Sequence, residues 1–414
     1  MKRHQCKLFV CEEIIINILN RLPLKSLARL QCISKEWRKY IAEIYHCRLQ
    51  AKLPAPYLIG FFCIEKRLQS RFFFSSKESP LLIGTGLDKS VSLIEKRLQS
   101  RFFFSSKESS LVIGTSLDES VSLIGERVYV VASSSGFLLC NKLKSRQRIY
   151  YVYNPATRQR FDVPKTRILM NDPRVGFMVK ETNESVSFTI VRYGVHRAYF
   201  HDLYSSVTIE IFSSETNIWT ANKLTVDERL LFYPYRDETS SSSACVVDRV
   251  FCWLCNYPQQ VTVYDSVKKC FWALGLPDWT WFLYPGYSCL GLSGGELCFA
   301  SNGGTAISCW RINNFPSRNP VWVWKYDIDV ATVVQKCRED FGLGGGNAPG
   351  FKVRNMVFHP ALPDILYLQI RSKVISYDMK TSSAELVHDF GEAWRKTVHY
   401  KLFSYEWPQW PHLQ

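Results

Sequence analysis

The spacing of apolar side chains changes once along this 414-residue chain, from a helical period to a strand-like one. Between Glu12 and Asn20, the residues Ile14, Ile15, Ile18 and Leu19 share one side of a helix, and its first turn holds two carboxylates that suit the positive end of the dipole. Pro23 ends that helix at Leu22. Because proline fits a first turn, it also opens a second helix over 24–30, with Leu27 and Leu30 on one side. Ser34 is placed to cap a third segment, where Ile33, Trp37, Tyr40, Ile41 and Ile44 make an apolar stripe. From Val128 to Phe403 the pattern becomes short apolar runs between turn signals, with almost no long helical periodicity. Val128–Ala132, Phe137–Cys140, Ile149–Tyr153, Ser187–Arg192, Val207–Phe212, Val246–Leu254, Val261–Tyr264, Leu297–Ala300 and Val374–Tyr377 all read as strands. Roughly 350 residues of this kind exceed a simple sandwich, whereas a propeller of about 40 to 50 residues per blade needs six to eight blades.

Three short helices bury too little surface to stand alone, so the N-terminal module is expected to need a partner. Its residues carry a family resemblance. The run Glu12-Glu13-Ile14-Ile15-Ile16-Asn17-Ile18-Leu19-Asn20-Arg21-Leu22-Pro23-Leu24-Lys25-Ser26-Leu27, followed by Cys32-Ile33-Ser34-Lys35-Glu36-Trp37, resembles an F-box. That resemblance implies docking onto the Skp-type adaptor of a Skp–cullin–F-box ubiquitin ligase, and through it a cullin scaffold. The expected adaptor-binding residues are Ile14, Ile15, Ile18, Leu19, Leu22, Pro23, Leu27 and Trp37. Some of these must form the module's own core, Trp37 first among them. One departure stands at the start: Val10-Cys11 occupies the place of the family's Leu-Pro, which removes a fixed φ and points to weaker adaptor binding.

A tandem repeat comes next. Residues 65–94 and 95–124 are two copies of a 30-residue unit that differ at Pro80/Ser110, Leu82/Val112, Gly86/Ser116 and Lys89/Glu119. Copies this similar read as a recent duplication rather than a solenoid. Each holds Arg-Phe-Phe-Phe, a polar turn and apolar Leu-Ile segments, so either copy could fill the same place in a sheet. The expectation is that one pairs natively while the other loops out or adds an irregular edge.

Farther on, several segments repeat a strand, a polar turn and an aromatic: Ser213-Ser214-Glu215-Thr216-Asn217-Ile218-Trp219, Tyr264-Asp265-Ser266-Val267-Lys268-Lys269-Cys270-Phe271-Trp272, and Tyr377-Asp378-Met379-Lys380-Thr381. Each reads as a hairpin whose aromatic packs between blades. With Tyr153-Asn154-Pro155-Ala156-Thr157-Arg158-Gln159 and Phe358-His359-Pro360, they resemble the kelch-related, F-box-associated region of plant F-box proteins. Asn154-Pro155 is also simply a turn starter, and contact with a substrate is the other reading of it. The fold class expected is α+β: a small N-terminal three-helix F-box, then a large all-β, β-propeller-like domain. The divisions are 1–50 for the F-box, 51–127 for a lead-in containing the duplication (65–94 and 95–124), and 128–414 for the propeller-like domain.

Composition adds two constraints. The 52 Lys and Arg against 37 Asp and Glu give +15, but without a nucleic-acid motif this points to solvated surface or an acidic protein partner, with an RNA-binding propeller as a lesser alternative. The fourteen cysteines are scattered through a long chain, which suits a reducing compartment, cytoplasmic or nuclear. Glu12 and Glu13 interrupt any signal-peptide run, and no stretch of 18 apolar residues suggests a membrane span. The Asn183-Glu184-Ser185 sequon is therefore expected to be unused.

Catalytic motifs are sparse. Cys252-Trp253-Leu254-Cys255 has metal-ligand spacing, yet on a strand its thiols face opposite ways. His196 and His201 lie five apart, and the Gly342–Gly346 run lacks a phosphate-loop ending. No metal, cofactor or catalytic residue is expected. The chain reads as the substrate-recognition subunit of a ubiquitin ligase with an unidentified protein target. Its rivals are an interaction module with a weakened F-box and a propeller enzyme.

Overall fold

The computed structural model describes residues 12–22, 24–30, 58–67, 97–104, 128–144, 147–155, 157–170, 173–181, 185–194, 206–225, 243–256, 259–277, 288–316, 320–342, 353–391 and 397–406, with part of 33–44. Two N-terminal helices are present, α1 (Glu12–Leu19) and α2 (Leu24–Leu30). The third segment falls only partly among the described residues, but its cap is formed: the Trp37 backbone N–H donates to Ser34 Oγ at 3.1 Å. Leu19, Leu27, Ile41 and Ile44 are buried and supply the module's apolar interior.

The strands sort into six sheets. β1 (Leu58–Arg67) and β2 (Arg97–Phe104) precede β3 (Val128–Ser134), β4 (Phe137–Lys144), β5 (Gln147–Asn154) and β6 (Gln159–Asp162), which make blade 1. Blade 2 holds β7 (Arg174–Glu181), β8 (Val186–Gly194), β9 (Ser206–Ser213) and β10 (Ile218–Thr225). Blade 3 holds β11 (Cys245–Val247), β12 (Val250–Asn256), β13 (Gln259–Asp265) and β14 (Cys270–Gly275). In blade 4 are β15 (Ser288–Ser293), β16 (Glu296–Asn302), β17 (Ala306–Asn313) and β18 (Val321–Asp329). Helix α3 (Val330–Phe341) leads to blade 5, made of β19 (Val353–Phe358), β20 (Ile365–Ile370), β21 (Lys373–Asp378) and β22 (Ser383–Asp389). All five are four-stranded antiparallel meanders. The sixth sheet has the order β2-β1-β23, where β23 (Thr397–Glu406) comes from the far end of the chain.

The first strands β3, β7, β11, β15, β19 and β23 each touch the next in that order, and β23 returns to β3, so the sheets close into a ring. Five of the six junctions have an apolar filling among the described residues. Phe177, Phe188 and Trp219 join blades 1 and 2, Tyr193 and Trp253 join blades 2 and 3, and Phe299 and Trp310 serve blades 3 and 4. Phe358 and Leu368 lie between blades 4 and 5, and Phe61 against Tyr367 joins blade 5 to the closing sheet. Contact is close enough that innermost-strand glycines are required: a Cβ on Gly176 would lie 2.4 Å from the Phe251 ring of the next blade, and one on Gly291 would lie 3.0 Å from Phe358.

Two sequence expectations need correction. Val246–Leu254 is not one strand but two, because Asp248 and Arg249 both take positive φ (44° and 65°) and form a two-residue hairpin turn between β11 and β12. The β region also contains a 12-residue helix, α3, whose Val330, Val333, Val334 and Cys337 are buried between blades 4 and 5. Asp329 caps it through the Thr332 N–H at 2.8 Å, and Gly342 ends it at φ 63°. The expected strand–turn–aromatic units are present: Trp219 is buried in the junction of blades 1 and 2, and Trp272 packs at the edge of the blade 3–4 cluster.

One ion pair is fully inside. Arg192 of β8 and Glu210 of β9 are 2% and 0% exposed, with Nε to Oε2 at 2.7 Å. Glu210 Oε1 accepts the backbone N–H groups of Arg167 (3.0 Å) and Ile168 (2.9 Å), and Arg192 donates to the Ile168 carbonyl. Trp219 Nε1 reaches the Pro164 carbonyl at 2.8 Å. These bonds pin the connection from blade 1 to blade 2. Replacing Glu210 by Ala strands a buried guanidinium and two backbone donors, so urea unfolding should show a loss of about 3–5 kcal/mol. Glu210→Gln, which can still accept from the backbone, should lose less.

Candidate interaction surfaces

Among the eight residues expected to face an adaptor, two are well exposed: Ile14 at 52% and Ile18 at 53%. They stand at i and i+4 on α1, so they share a face. Ile15, Leu22 and Trp37 are half-buried. Leu19 and Leu27 are 0% exposed and belong to the interior, a place the sequence assigned first to Trp37. Pro23, Val10 and Cys11 lie outside the described residues. Ile33 is also exposed and was assigned only to the third helical stripe.

The propeller has two unlike faces. Strand direction alternates within each blade, so the turns after its first and third strands share one face. On that face no connection exceeds the seven residues of 314–320, and three are two-residue turns at 135–136, 248–249 and 294–295. The chain also enters β1 and leaves β23 there, since Leu58 pairs with Glu406. The opposite face takes the remaining connections, including 163–173, 195–205, 226–244, 276–287 and the α3 segment 330–352. The residues 195–205, 226–242 and 278–287, which follow β8, β10 and β14 in the chain and lie outside the described residues, contain eleven aromatics among 38, against 14% for the whole chain. They hold three basic residues and six acidic ones in a chain of net charge +15. His196 and His201 belong to the first of these and are outside the described residues.

The tight-turn face is built by a repeated device. Asn154 Oδ1 accepts the Thr157 N–H at 3.3 Å, and its carbonyl accepts the Arg158 N–H at 2.8 Å. Asp265 Oδ1 takes the N–H groups of Val267 and Lys268 at 2.8 and 2.9 Å, and Asp378 Oδ1 takes those of Lys380 and Thr381 at 2.8 and 3.0 Å. Four residues after each starter the chain turns through positive φ, at Arg158 (64°), Lys269 (53°) and Ser382 (55°), with Asn217 (54°) in the same place in blade 2. The Asn-Pro-Ala-Thr-Arg stretch therefore does structural work as a turn.

Phe358-His359-Pro360 is a second structural device. His359 Nδ1 accepts the Ala361 and Leu362 N–H groups, both at 3.0 Å, and its carbonyl accepts Ser293 Oγ of blade 4 at 2.6 Å. Burial holds the imidazole pKa down at about 4. Nucleophilic chemistry finds little support among the described cysteines. Burial pushes Cys140 up to about 12 and Cys298 and Cys337 to about 11, so they stay as thiols. Cys252 sits in the blade 3–4 cluster, whereas Cys255 touches Thr262 Oγ1 at 3.7 Å near Tyr193, so the two thiols do point apart. Among the described residues no group of three or more His, Cys, Asp or Glu side chains could hold a metal.

The chain thus joins a small helical module, with Ile14 and Ile18 exposed on α1, to a ring-closed propeller. Comparison with known proteins gives it a family. Residues 10–47 match the F-box domain, and residues 106–406 match the F-box protein At3g26010-like β-propeller. The chain belongs to the plant-type F-box proteins with this propeller. It is 24% identical over 410 residues to the Arabidopsis thaliana F-box protein At5g49610, covering 94% of this chain and 96% of that one. Against F-box protein At3g26010 of the same plant, identity is 21% over 409 residues, covering 94% and 81%. Putative F-box protein At2g16220 is 38% identical over 85 residues, 19% of this chain and 20% of that one.

The His359 geometry has a pH consequence. An unfolded histidine titrates near 6.5, so as pH falls below that value the unfolded state takes up a proton that the folded ring refuses until about 4. Stability is thus lost between those limits, by about 3 kcal/mol for this group. Glu406, raised by burial to about 7, works in the opposite sense over part of the same range. The informative quantity is therefore a difference: His359→Asn, whose Oδ1 can accept the same backbone donors, should lose less stability than wild type between pH 6.5 and 4.5 in urea titrations.

Proposed function

We propose that this protein is the substrate-recognition subunit of a Skp–cullin–F-box ubiquitin ligase, working in the cytoplasm or nucleus. The F-box binds a Skp-type adaptor, the adaptor brings the cullin scaffold, and the propeller holds a protein target. The chain makes or breaks no bond itself. It raises the effective concentration of target lysines near a charged ubiquitin-conjugating enzyme. The observation that carries this reading is the joining, in one chain, of an F-box with Ile14 and Ile18 outside its own core to a closed propeller.

In this reading the target sits on the face with the long connections, away from where the chain enters β1. Aromatic side chains in connections supply large contact area at small entropic cost. The surplus of acidic over basic residues around blades 2 and 3 suits an apolar or basic stretch of the target, with aromatic rings adding attraction for cations. Acidic stretches would suit blade 1, next to blade 2, where the sequence from β4 to β5 carries Lys142, Lys144, Arg146 and Arg148.

Two measurements test these halves separately. The pair Ile14→Asp and Ile18→Asp should abolish co-purification of the Skp-type adaptor and leave the thermal transition of the propeller in place. If wild type retains no adaptor, the ligase reading fails and a free-standing interaction module, as Val10-Cys11 hints, takes its place. In the second, Trp279→Ala with Trp281→Ala should leave adaptor capture intact and remove protein targets recovered under proteasome inhibition. Targets kept by that variant would move the binding surface elsewhere, and loss of captured partners on nuclease treatment would favour RNA.

A further inference from the structure

The outer strand of each sheet leaves one backbone edge unpaired by its own sheet, and natural proteins blunt such edges with charge. Here β2 carries Arg97 and Arg101, β6 carries Arg160 and Asp162, β10 carries Lys223, and β22 carries Glu385 and Asp389. β14 is uncharged, but none of its large apolar side chains is exposed. β18 differs from all of these. At nine residues it is the longest outer strand, and its three charges, Lys325, Asp327 and Asp329, follow an uncharged start of Val321-Trp322-Val323-Trp324. Val321 is 56% exposed and Trp324 51%, and among the described residues nothing pairs with the outer edge of this strand.

The open edge is firmly held. The Trp322 ring lies 5.9 Å from that of Phe299, and its Nε1 donates to the Gly275 carbonyl of blade 3 at 2.7 Å. Trp322 stands opposite Ile312 and Trp324 opposite Trp310, so both indoles lie on the face turned to blade 3. The next rung to β17 joins Tyr326 to Cys309, which leaves Lys325 as a bulge. A bulge interrupts regular pairing, so the open ladder runs from Val321 to Trp324. Its outward N–H and C=O groups are of the kind that another extended chain satisfies, and its lack of charge selects an apolar strand.

We propose that the occupant of this edge is β18 of a second copy of the chain, added antiparallel about a two-fold axis at Val323. Opposite residues in a ladder share a face, so the axis must pass through a residue and not between two. An axis at Val321 or Trp322 brings Pro320, which has no N–H, into the ladder. One at Trp324 or Tyr326 carries the pairing across the bulge, and one at Lys325 opposes two ammonium groups. Val323 avoids all three. Trp322 of each chain then meets Trp324 of the other on one face, which covers the exposed rings with two cross-strand indole pairs. The Lys325 stem of each chain lies along Val321 of the other. The contact is symmetric, so it closes at two chains and does not grow into a fibre. Three full rungs and four indoles make a small interface, below about 1,200 Å², which suits a dimer of about micromolar affinity.

Sedimentation equilibrium of the full chain over about 1 to 100 µM tests this, and wild type should pass from monomer to dimer across that range. Trp324→Lys and Val321→Lys should each weaken the dimer at least about tenfold. Leu386→Lys, the same kind of exchange at an exposed position of β22, should leave it unchanged. A wild type that stays monomeric throughout overturns the proposal, and an edge reserved for a strand of a different protein would give that result. A dimer that Trp324→Lys and Val321→Lys leave intact, or that Leu386→Lys weakens as much, overturns it as well. Because the axis brings the two Val323 positions together, Val323→Cys should cross-link to a dimer under diamide faster than wild type. Equal rates overturn the register. Adaptor capture by the F-box takes no part in either measurement, so the ligase reading stands or falls separately.

Discussion

The pairing of β1 with β23 is the constraint on which the rest of the propeller depends. Its rungs join residues at least 330 positions apart, from Arg67↔Thr397 to Leu58↔Glu406. A blade is apolar on both faces, so each sheet needs two neighbours, and only a closed circuit gives every sheet both. Without β23, Tyr367 and Val374 of blade 5 would lose the Phe61 and Leu402 side chains that cover them. Blade 1 would also lose the bond from Ser133 Oγ to the Ser404 carbonyl. Closure is made by the first and last strands of the β domain, so it is the least local contact in the molecule and the one that makes the others complete.

Around that circuit the blades are held by apolar contact and fixed in register by a few polar bonds. Aromatics fill the junctions and lie directly on glycine backbones at Gly176 and Gly291, leaving little room for side-chain change. The Arg192–Glu210 pair and the His359 turn instead tie connecting segments to the sheets. Both satisfy backbone donors in places where water is excluded, which makes them expensive to interrupt. The same division appears between the two faces of the propeller. One face is held by short turns with internal Asx bonds, and the other carries the longer connections between strands.

Much of this was legible in sequence, for local reasons. Pro23, Ser34 and the Ile14–Leu19 stripe report helix ends and faces directly, and Asn154, Asp265 and Asp378 announce turns that depend on a few neighbouring atoms. Where the answer depended on distant partners, sequence was mute or misleading. The split at Asp248-Arg249 is hidden because neither residue is a glycine or an asparagine. Helix α3 had a readable signal in Asp329 and Val330-x-x-Val333-Val334-x-x-Cys337, but it sits inside a strand-rich stretch that masks it. Trp37 looked like the interior residue by size, yet Leu19 and Leu27 are the ones enclosed, since enclosure depends on how the helices meet. The two-faced character of the propeller needed strand order, which no local pattern contains.

The position of β23 also governs how the protein comes into being. β23 leaves the ribosome some 330 positions after its ring partner β1. At about 5–20 residues per second, that interval is roughly 15 to 65 seconds, during which β1 has one edge unpaired and the first and fifth blades each lack a neighbour. An F-box finished long before its propeller can engage its adaptor while that edge is still open. The order of synthesis, as much as the final stability of the ring, therefore sets how much of the newly made chain reaches the closed form rather than pairing its edge with another molecule.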